Sequence, residues 1–392
     1  MIFYESIKGQ GRNALFFFIL NFWRIIMRKL GVSVYPDQME MTEMKEYLSL
    51  CHSYQFNRVF TSLLHVEDEQ DRTINKYKEI IHFAKKLDMF VVIDVNPKIF
   101  NLLHISYDDL SFFSEMGVDG IRLDEGFTGL EEARMTNNPF NLKIELNISR
   151  GTHYIDQVMD YSPNTDNLIG CHNFYPQSHT GLSENFLKET SKEYKKYNIK
   201  TAAFINSRAG KIGINSVGEG MLTLESDRNK DIVAQTSHLK ILGCIDDIII
   251  ANAKATSEEL RNVYEEFWCG YPMIRIDVKD TISEMEDKIL FDNDHLYRGD
   301  VSDYVIRSTE NRGNNVKEHD NHENIKKGDI LVLNNKYQQY SGELQIAFKD
   351  FENNGKINVV GKAIPDDLNL IDNLKPWQSF LLKNNKFFNG EF

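Results

Sequence analysis

Short apolar, β-branched runs alternate with longer charged stretches of helical spacing from residue 28 to about residue 270. Eight runs have the composition of strands: Leu30–Tyr35, Arg58–Leu63, Phe90–Val95, Gly120–Asp124, Leu142–Ile148, Leu168–Phe174, Thr201–Asn206 and Asp247–Ala251. Most of the stretches between them have helical spacing: Glu40–Tyr54, Asn75–Leu87, Tyr107–Met116, Glu184–Tyr197 and Asp231–Leu242. Strands that alternate with helices predict βαβ units and a parallel sheet. A count of eight favours an α/β fold with a closed (β/α)8 TIM barrel over an open doubly wound sheet.

The pattern changes after Pro272, where helical periodicity nearly disappears. Six short strand-like runs follow, separated by polar turns rich in Asn and Gly: Met273–Val278, Tyr304–Ser308, Asp329–Leu333, Glu343–Phe348, Asn358–Gly361 and Ser379–Leu382. Such spacing is typical of a β-rich domain. We therefore expect a barrel domain over residues 27–271 and a smaller β domain over residues 272–392.

One apolar segment, Ala14–Ile26, precedes the first strand. It is shorter than the roughly 20 residues of a spanning helix, and it contains Asn21 and Arg24. It lacks the small-residue cleavage site of a signal peptide, and Met27 opens a short basic lead into the first strand. We expect residues 1–26 to be an extension outside the fold, with an anchor or export signal as the alternative.

Composition limits the partners and the compartment. The chain has 58 acidic and 45 basic residues, and its net charge of −13 argues against nucleic acid or an anionic membrane surface as the main partner. The four cysteines are widely spaced without a CxxC pair, so neither a zinc site nor a disulfide framework is indicated. No GxGxxG or GxxxxGK[ST] motif follows a strand, and no HExxH motif is present. We expect no cofactor, no metal and a reducing compartment, although carboxylates with His leave a metal site conceivable.

A barrel carries its active site at the carboxyl ends of its strands, so polar residues there are the candidates. Alternation along the fifth strand places Lys143, Glu145 and Asn147 on one face, opposite an apolar face that must meet the helices. The same rule places Arg122 and Asp124 inside the barrel. The other polar residues at predicted strand ends include Tyr35, Asp94, His172 and Asn173.

Two carboxylates in different environments are the requirement for cleaving a glycosidic bond, since one must be a protonated acid and the other must stay ionised. Neighbouring strands lie about 4.8 Å apart, so we predict that Asp124 and Glu145 are the catalytic pair. Arg122 with Glu145, or Lys143 with Asp124, could instead be ion pairs that only fill a layer of the barrel. Likewise, Asp94 could be a turn residue, and His172 a core histidine.

The loop after the seventh strand is the longest connection in the barrel. It contains several glycines with Arg208, Lys211 and Arg228, which could together hold an anion. Glu225 and Arg228 lie three residues apart, so they could simply pair with each other. A solvated surface loop is the alternative for the whole segment.

Several motifs resemble those of the 6-phospho-N-acetylmuramidase glycosidases, in order from about Met27 to the C-terminus: LGVSVYP, GIRLDEGF, MTNNPF, LKIELNIS, GCHNFYPQ, LTLESDRN, YVIRSTE and GELQIAFKD. The resemblance implies a TIM barrel joined to a cyclophilin-like β domain. It also implies cytoplasmic cleavage of the bond between 6-phospho-N-acetylmuramic acid and N-acetylglucosamine during recycling of cell-wall peptidoglycan. The residues of this chain at the family's motif positions are Asp124, Glu145, His172, Asn173, Glu225, Arg228 and Arg307. We also expect Asn147 and Tyr175, which lie within the quoted motifs, to bind the substrate.

A substrate of this kind has a phosphate and a lactyl carboxylate, so its site needs cations. We predict that the phosphate is bound by Arg228 together with Arg307 or Arg312, because Arg binds phosphate bidentately. Two alternatives remain: another sugar-phosphate barrel enzyme, such as an epimerase or an aldolase using a lysine like Lys143, and a non-catalytic saccharide-binding protein at the cell surface. Exposed edges of the β domain could support a homo-oligomer.

Overall fold

The computed structural model of the chain describes residues 28–64, 71–213 and 218–387. The chain divides into two compact units. The first comprises residues up to 228 together with 244–260, and the second comprises residues 229–243 together with 261 onward. The apolar segment Ala14–Ile26, on which the prediction of an N-terminal extension rests, lies outside the described residues.

The first unit contains a closed barrel of eight parallel strands in chain order. The strands are β1 (Leu30–Ser33), β2 (Phe56–Ser62), β3 (Phe90–Val95), β4 (Gly120–Leu123), β5 (Lys143–Asn147), β6 (Leu168–Cys171), β7 (Lys200–Ile205) and β8 (Asp247–Ile250). Strand β8 pairs with β1, with Ile248 opposite Leu30, and this pairing closes the barrel. The predicted (β/α)8 barrel is confirmed, and each predicted run overlaps one strand.

Helices connect successive strands along the chain: α1 (Met41–Ser53), α2 (Asp71–Lys86), α3 (Pro97–Leu102), α4 (Ser111–Met116), α5 (Leu130–Met135), α6 (Tyr154–Met159), α7 (Glu184–Lys196), α8 (Ile232–Leu242) and α9 (Ser257–Trp268). Helix α7 begins where the Ser183 hydroxyl accepts a hydrogen bond from the Phe186 amide, at 3.3 Å. Its buried positions repeat at helical spacing, from Leu187 to Tyr194. Helices α3, α5 and α6, of six residues each, were not predicted. Helix α4 is equally short, but it lies within the predicted helical segment Tyr107–Met116.

Charged side chains share the barrel interior because parallel neighbours in register point to the same face. Arg122 is opposite Asp94 on one side and opposite Glu145 on the other. Arg58 is opposite Gly31. A Cβ atom at Gly31 would lie 3.3 Å from the Arg58 Cβ and 3.0 Å from Ile249 Cγ1, so the absence of a side chain makes room for Arg58.

The second unit is mostly a seven-stranded sheet in the order β10-β15-β9-β14-β12-β13-β11. Its strands are β9 (Met273–Val278), β10 (His295–Leu296), β11 (Val305–Ser308), β12 (Asp329–Leu333), β13 (Leu344–Ala347), β14 (Ile357–Ala363) and β15 (Ser379–Asn384). Two helices, α10 (Glu284–Phe291) and α11 (Leu368–Asn373), accompany the sheet. The predicted second domain, mostly of sheet, is confirmed. The two-residue strand β10 and helix α10 were missed.

Arg275 ties residues 229–243 to the sheet of the second unit. Its guanidinium donates hydrogen bonds to Asp231, the N-cap of α8, at 2.8 Å and to Asp367 at 2.6 Å. Asp367 is buried, and its charge is matched by Arg275 at close range. Helix α8, which lies between β7 and β8 in the chain, is therefore held to residues of the second unit.

None of the helices in the described residues is both long enough and apolar enough to span a membrane.

Candidate active site

Arg122 is the centre of a cluster at the carboxyl end of the barrel. Its Nη1 atom donates to Asp94 Oδ1 at 2.8 Å and to Asp124 Oδ1 at 3.2 Å. Its Nη2 atom donates to Asn173 Oδ1. The three acceptors come from the ends of β3, β4 and β6, which the parallel topology places at one end of the barrel. The structure therefore brings together three of the residues predicted for the site.

The two aspartates of this cluster differ in exposure. The side chain of Asp124 is 28% exposed, whereas that of Asp94 is 4% exposed. Burial raises the pKa of Asp94 to about 7, the negative charges of Asp124 and Glu145 act in the same direction, and Arg122 opposes them. A carboxyl group that holds its proton near neutral pH thus lies beside one that is open to solvent.

Glu145 lies deeper in the barrel than Asp124, since the register aligns it with Arg122, two residues earlier on β4. Its side chain is fully buried and accepts a hydrogen bond from Arg58. Arg58 also donates to Asp247 at 2.9 Å, and Lys200 pairs with the same carboxylate at 2.9 Å. Glu145 is thus part of an internal ion network, and its burial argues against the predicted direct contact with a substrate. Arg58 was not predicted as a site residue, although a charged side chain within an apolar strand was a visible signal.

Lys143, proposed from sequence as a strand-end lysine, lies at the opposite end of its strand. It is the first residue of β5, and its Nζ atom donates to the Asp166 carbonyl at 2.8 Å and to Asn167 Oδ1 at 3.1 Å. Its pairing with Asp124, stated from sequence as an alternative, does not occur, because Asp124 follows the carboxyl end of β4. The aldolase alternative built on this lysine therefore has no support in the geometry.

Asn147 and Ser149 extend the cluster along the chain after β5. Asn147 Nδ2 donates to the Asp124 carbonyl at 3.1 Å, and its Oδ1 accepts from the Ser149 amide at 3.0 Å. The Ser149 hydroxyl accepts from the Asn173 amide at 2.9 Å. Asn147 therefore holds the backbone of Asp124, and Ser149 holds that of Asn173.

His172 lies on the outer face of the barrel, since its neighbour Cys171 aligns with the inward Asn147. Its ring is fully buried between the hydroxyls of Ser149 (3.1 Å from Nδ1) and Ser191 (2.8 Å from Nε2). Burial lowers the pKa of His172 to about 3, and the charge of Arg122 adds to the effect. The imidazole is neutral, and it supports Ser149 rather than facing the opening.

Glu225 and Arg228 hold two loops together. Arg228 donates to both oxygens of the Glu225 carboxylate at 2.7 Å, and also to the Tyr175 carbonyl at 3.1 Å. Hydrogen bonds from Arg228, with those from the amides of His179 and Gly181, lower the pKa of Glu225 to about 2. The side chain of Arg228 is only 6% exposed. Of the alternatives stated from sequence, the internal pair is the one observed, and it leaves Arg228 poorly placed to bind an external phosphate.

Two further residues predicted for the site, Tyr35 and Arg307, have partners outside the cluster around Arg122. The hydroxyl of Tyr35 is buried and donates to the Ala251 carbonyl after β8, and burial raises its pKa. Arg307 belongs to β11 of the second unit, where it donates to the Asp300 carbonyl at 2.8 Å and pairs with its carboxylate at 2.7 Å.

An aromatic cluster that sequence reasoning missed lies among the strand ends. Phe60, Phe174 and Phe204 pack edge to face, with ring centroids 5.1–6.3 Å apart. Phe60 and Phe204 are buried, and Phe174 is half-buried. Phe174 directly follows Asn173 in the chain, so the aromatic cluster adjoins the polar cluster around Arg122.

The described residues contain one group of three possible metal ligands within coordinating distance of one another. It consists of His153, Asp156 and Glu193, near α6 and α7. None of these residues belongs to the cluster around Arg122.

Comparison with known proteins gives matches along most of the chain. The family model described as 6-phospho-N-acetylmuramidase, N-terminal, matches residues 30–265, and its C-terminal counterpart matches residues 272–383. A crystal structure of an uncharacterized B. cereus protein is 38% identical, with a TM-score of 0.82, and covers 91% of this chain and 99% of that one. A conserved Enterococcus faecalis protein with an unknown function is 21% identical, with a TM-score of 0.71, over 93% of this chain and 98% of that one. No protein with curated annotation matches the chain.

Proposed function

Because the chain belongs to the 6-phospho-N-acetylmuramidase family, we propose that it is a glycoside hydrolase for a 6-phosphorylated muramyl saccharide. Its substrate is the disaccharide in which 6-phospho-N-acetylmuramic acid is joined to N-acetylglucosamine, and its setting is cytoplasmic recycling of peptidoglycan. The observation that carries the proposal is the pair Asp94 and Asp124, bonded to one nitrogen of Arg122 at the end of the barrel where such enzymes act.

The two aspartates have the roles of acid and ionised carboxylate. Asp94 holds a proton near pH 7 and gives it to the glycosidic oxygen as the bond from that oxygen to C1 breaks. Asp124, which is open to solvent, stabilises the positive charge that develops at C1. This assignment replaces the predicted pair of Asp124 and Glu145. Glu145 instead acts through its charge, which helps to keep Asp94 protonated.

The spacing of the aspartates favours retention of the anomeric configuration. Both Oδ1 atoms bond the same Arg122 nitrogen, at 2.8 and 3.2 Å, so they are closer together than the roughly 6.5–9.5 Å of an inverting pair. A gap this short has no room for an attacking water between the carboxylates and the sugar. In a retaining reaction, Asp124 forms a bond to C1 as the leaving group departs. Water then attacks C1, the bond from Asp124 to C1 breaks, and Asp94 takes a proton from that water.

Incubation with a 6-phosphomuramyl glycoside tests the proposal. We expect release of the leaving group, and nuclear magnetic resonance should show that the first product formed keeps the configuration of the substrate at C1. Release with inverted configuration would refute the pairing of Asp94 with Asp124. Binding of the saccharide without any release would favour the non-catalytic alternative.

A further inference from the structure

A cavity of about 350 Å³ lies at the carboxyl ends of β7 and β8. Two cationic side chains, Arg208 and Lys211, line it, and both residues are exposed. Among the described residues that line the cavity, none is Asp or Glu. The protein as a whole has a net charge of −13, so this concentration of positive charge opposes the general field of the molecule.

The backbone around Arg208 is held by hydrogen bonds to two side chains, Asn252 and Glu259. Asn252, after β8, accepts from the Ser207 amide at 2.8 Å and donates to the Gly210 carbonyl at 2.6 Å. Glu259 accepts from the Arg208 amide at 2.9 Å and from the Ser207 hydroxyl at 2.7 Å. The backbone on this side of the cavity is therefore positioned before any ligand arrives, which reduces the ordering cost of binding.

A second part of the lining, which includes Asn206, Gly213 and Met221, is also fixed by hydrogen bonds and packing. Asn206 Oδ1 accepts from the Met221 amide at 2.8 Å. Gly213 lies against Met221, where an added Cβ would be only 2.1 Å from the sulfur. Gln38, from the loop after β1, donates to the Gly213 carbonyl at 2.9 Å. Hydrogen bonds and close packing thus fix both parts of the cavity lining.

We propose that this cavity binds the 6-phosphate of the sugar substrate through Arg208 and Lys211, an inference that rests on the proposed function. Loops after the seventh and eighth strands are a recurrent place for phosphate in parallel barrels. A guanidinium matches a phosphate bidentately, and a lysine adds a point charge. The cavity lies at the same end of the barrel as Asp94 and Asp124, but beside β7 and β8 rather than β3 and β4. In the proposed binding mode, the sugar ring lies between the aspartates and the cavity, with C1 at the aspartates and the phosphate in the cavity.

The residues first predicted to hold phosphate do not line this cavity. Arg228 is committed to Glu225, and Arg307 pairs with Asp300 in the second unit. Arg208 and Lys211 were named from sequence as possible anion holders, and they line the cavity, whereas Arg228 is not among its lining residues.

The test compares Arg208→Gln, Lys211→Met and the double variant on a 6-phosphomuramyl glycoside and on the same glycoside without phosphate. We expect the ratio of kcat/KM for the phosphorylated over the unphosphorylated compound to fall roughly 10- to 100-fold in each single variant, and further in the double variant. Arg134→Gln is the matched control, since Arg134 is an exposed arginine of the same unit that pairs with Asp108 and lies outside the cavity. Equal losses on both compounds would overturn the proposal.

A third glycoside, phosphorylated at O6 but without the lactyl ether, separates phosphate from carboxylate. The cavity binds phosphate if the variants lose activity on this compound as well, and the proposal is wrong if they do not. Calorimetry with N-acetylglucosamine 6-phosphate and with N-acetylglucosamine gives a readout that needs no hydrolysis. If the wild type hydrolyses none of the glycosides but binds the phosphorylated sugar through Arg208 and Lys211, the proposed function fails and the cavity stands. If the wild type hydrolyses the phosphorylated glycoside but shows no preference for the phosphorylated sugar, the cavity proposal fails alone.

Discussion

Glu145 is bound to Arg58 inside the barrel, where the two side chains are 0% and 2% exposed. The residues are 87 positions apart in the chain. Arg58 also pairs with Asp247, so one guanidinium contacts two carboxylates of the interior, and Lys200 supplies the second positive charge. A buried charge without a partner strongly destabilises a fold. Glu145 therefore contributes to stability through its pair with Arg58, a role that its sequence motif does not show.

Glu145→Gln should therefore destabilise the fold more than it impairs the chemistry. Loss of one partner of a buried ion pair costs about 3–5 kcal/mol, because the other charge stays buried. Urea denaturation monitored by circular dichroism measures the free energy of unfolding. Arg58→Met combined with Glu145→Gln should recover part of the loss, since both partners of the pair are then neutral and Asp247 keeps Lys200 as its partner.

The pH profile of Glu145→Gln provides a second readout for the same residue. The negative charge of Glu145 contributes to the raised pKa of Asp94, so its removal should move the alkaline limb of kcat/KM to lower pH. A fall in turnover by orders of magnitude with unchanged stability would instead restore Glu145 to the catalytic pair.

Asp94→Asn and Asp124→Asn should each reduce kcat by roughly 10²- to 10⁴-fold, but with different dependence on the leaving group. Without its acid, Asp94→Asn should retain more activity on a nitrophenyl glycoside than on the disaccharide, because nitrophenolate leaves without protonation. Asp124→Asn should be impaired on both, since it acts at C1. Steady-state kinetics on the two substrates makes the comparison.

Glu125→Gln is the matched control for both variants, since Glu125 is an exposed carboxylate next to Asp124. It should behave like the wild type. If Asp94→Asn were impaired equally on both substrates, Asp94 would not be the general acid.

Asp94 should also make activity and stability depend on pH. Its acid form is the active one, so kcat/KM should fall as pH rises through about 7. An unfolded Asp releases its proton at about pH 4, whereas Asp94 in the folded state keeps it up to about pH 7. The contribution of Asp94 to stability is therefore fully present below pH 4 and is lost as pH rises to about 7. Urea denaturation at a series of pH values should show this slope in the wild type, and Asp94→Asn should remove it.

The fold was predictable because the eight strands of the barrel are short apolar runs that helices separate. Helices α1 and α7, of 13 residues each, have room for several turns of periodic burial. Helix α3 has no such room, and its signal was local: Asn96 caps the Ile99 amide at 3.1 Å, with Pro97 in the first turn. The Asn-Pro pair therefore begins a helix, whereas a turn was the alternative stated for Asp94 just before it.

The sequence showed which side chains of the site point into the barrel, but not how far along the barrel axis each one lies. Alternation along β4 and β5 identified the inward faces of Arg122 and Glu145, which the register confirms. The height of a residue in the barrel depends on the stagger of neighbouring strands, which is a non-local property. Alternation therefore could not show that Glu145 is level with Arg122 rather than with Asp124. The run around His172 has no polar alternation, so its outward direction was equally hidden.

His172 should leave the pH profile of activity near neutrality unchanged but affect stability in acid. Its pKa is about 3 in the folded state, so the unfolded chain binds a proton that the fold excludes between about pH 6.5 and pH 3. Stability should fall as pH decreases through that range. His172→Gln should weaken this dependence, as measured by urea denaturation. Nuclear magnetic resonance of the wild type should show no titration of the His172 ring between pH 5 and pH 8, and a midpoint in that range would contradict its neutral, buried state.

Glu225→Gln and Arg228→Gln should impair phosphorylated and unphosphorylated glycosides to the same degree. The two side chains hold the loop at Tyr175 against the loop that follows β7, and their charges are matched within the pair. Removal of either partner loosens both loops without removing a phosphate contact, so kcat/KM should fall for both substrates while their ratio stays constant. The ratio distinguishes this effect from that of Arg208→Gln, which should change it. A selective loss on the phosphorylated substrate in Arg228→Gln would instead show that Arg228 leaves Glu225 to bind the phosphate.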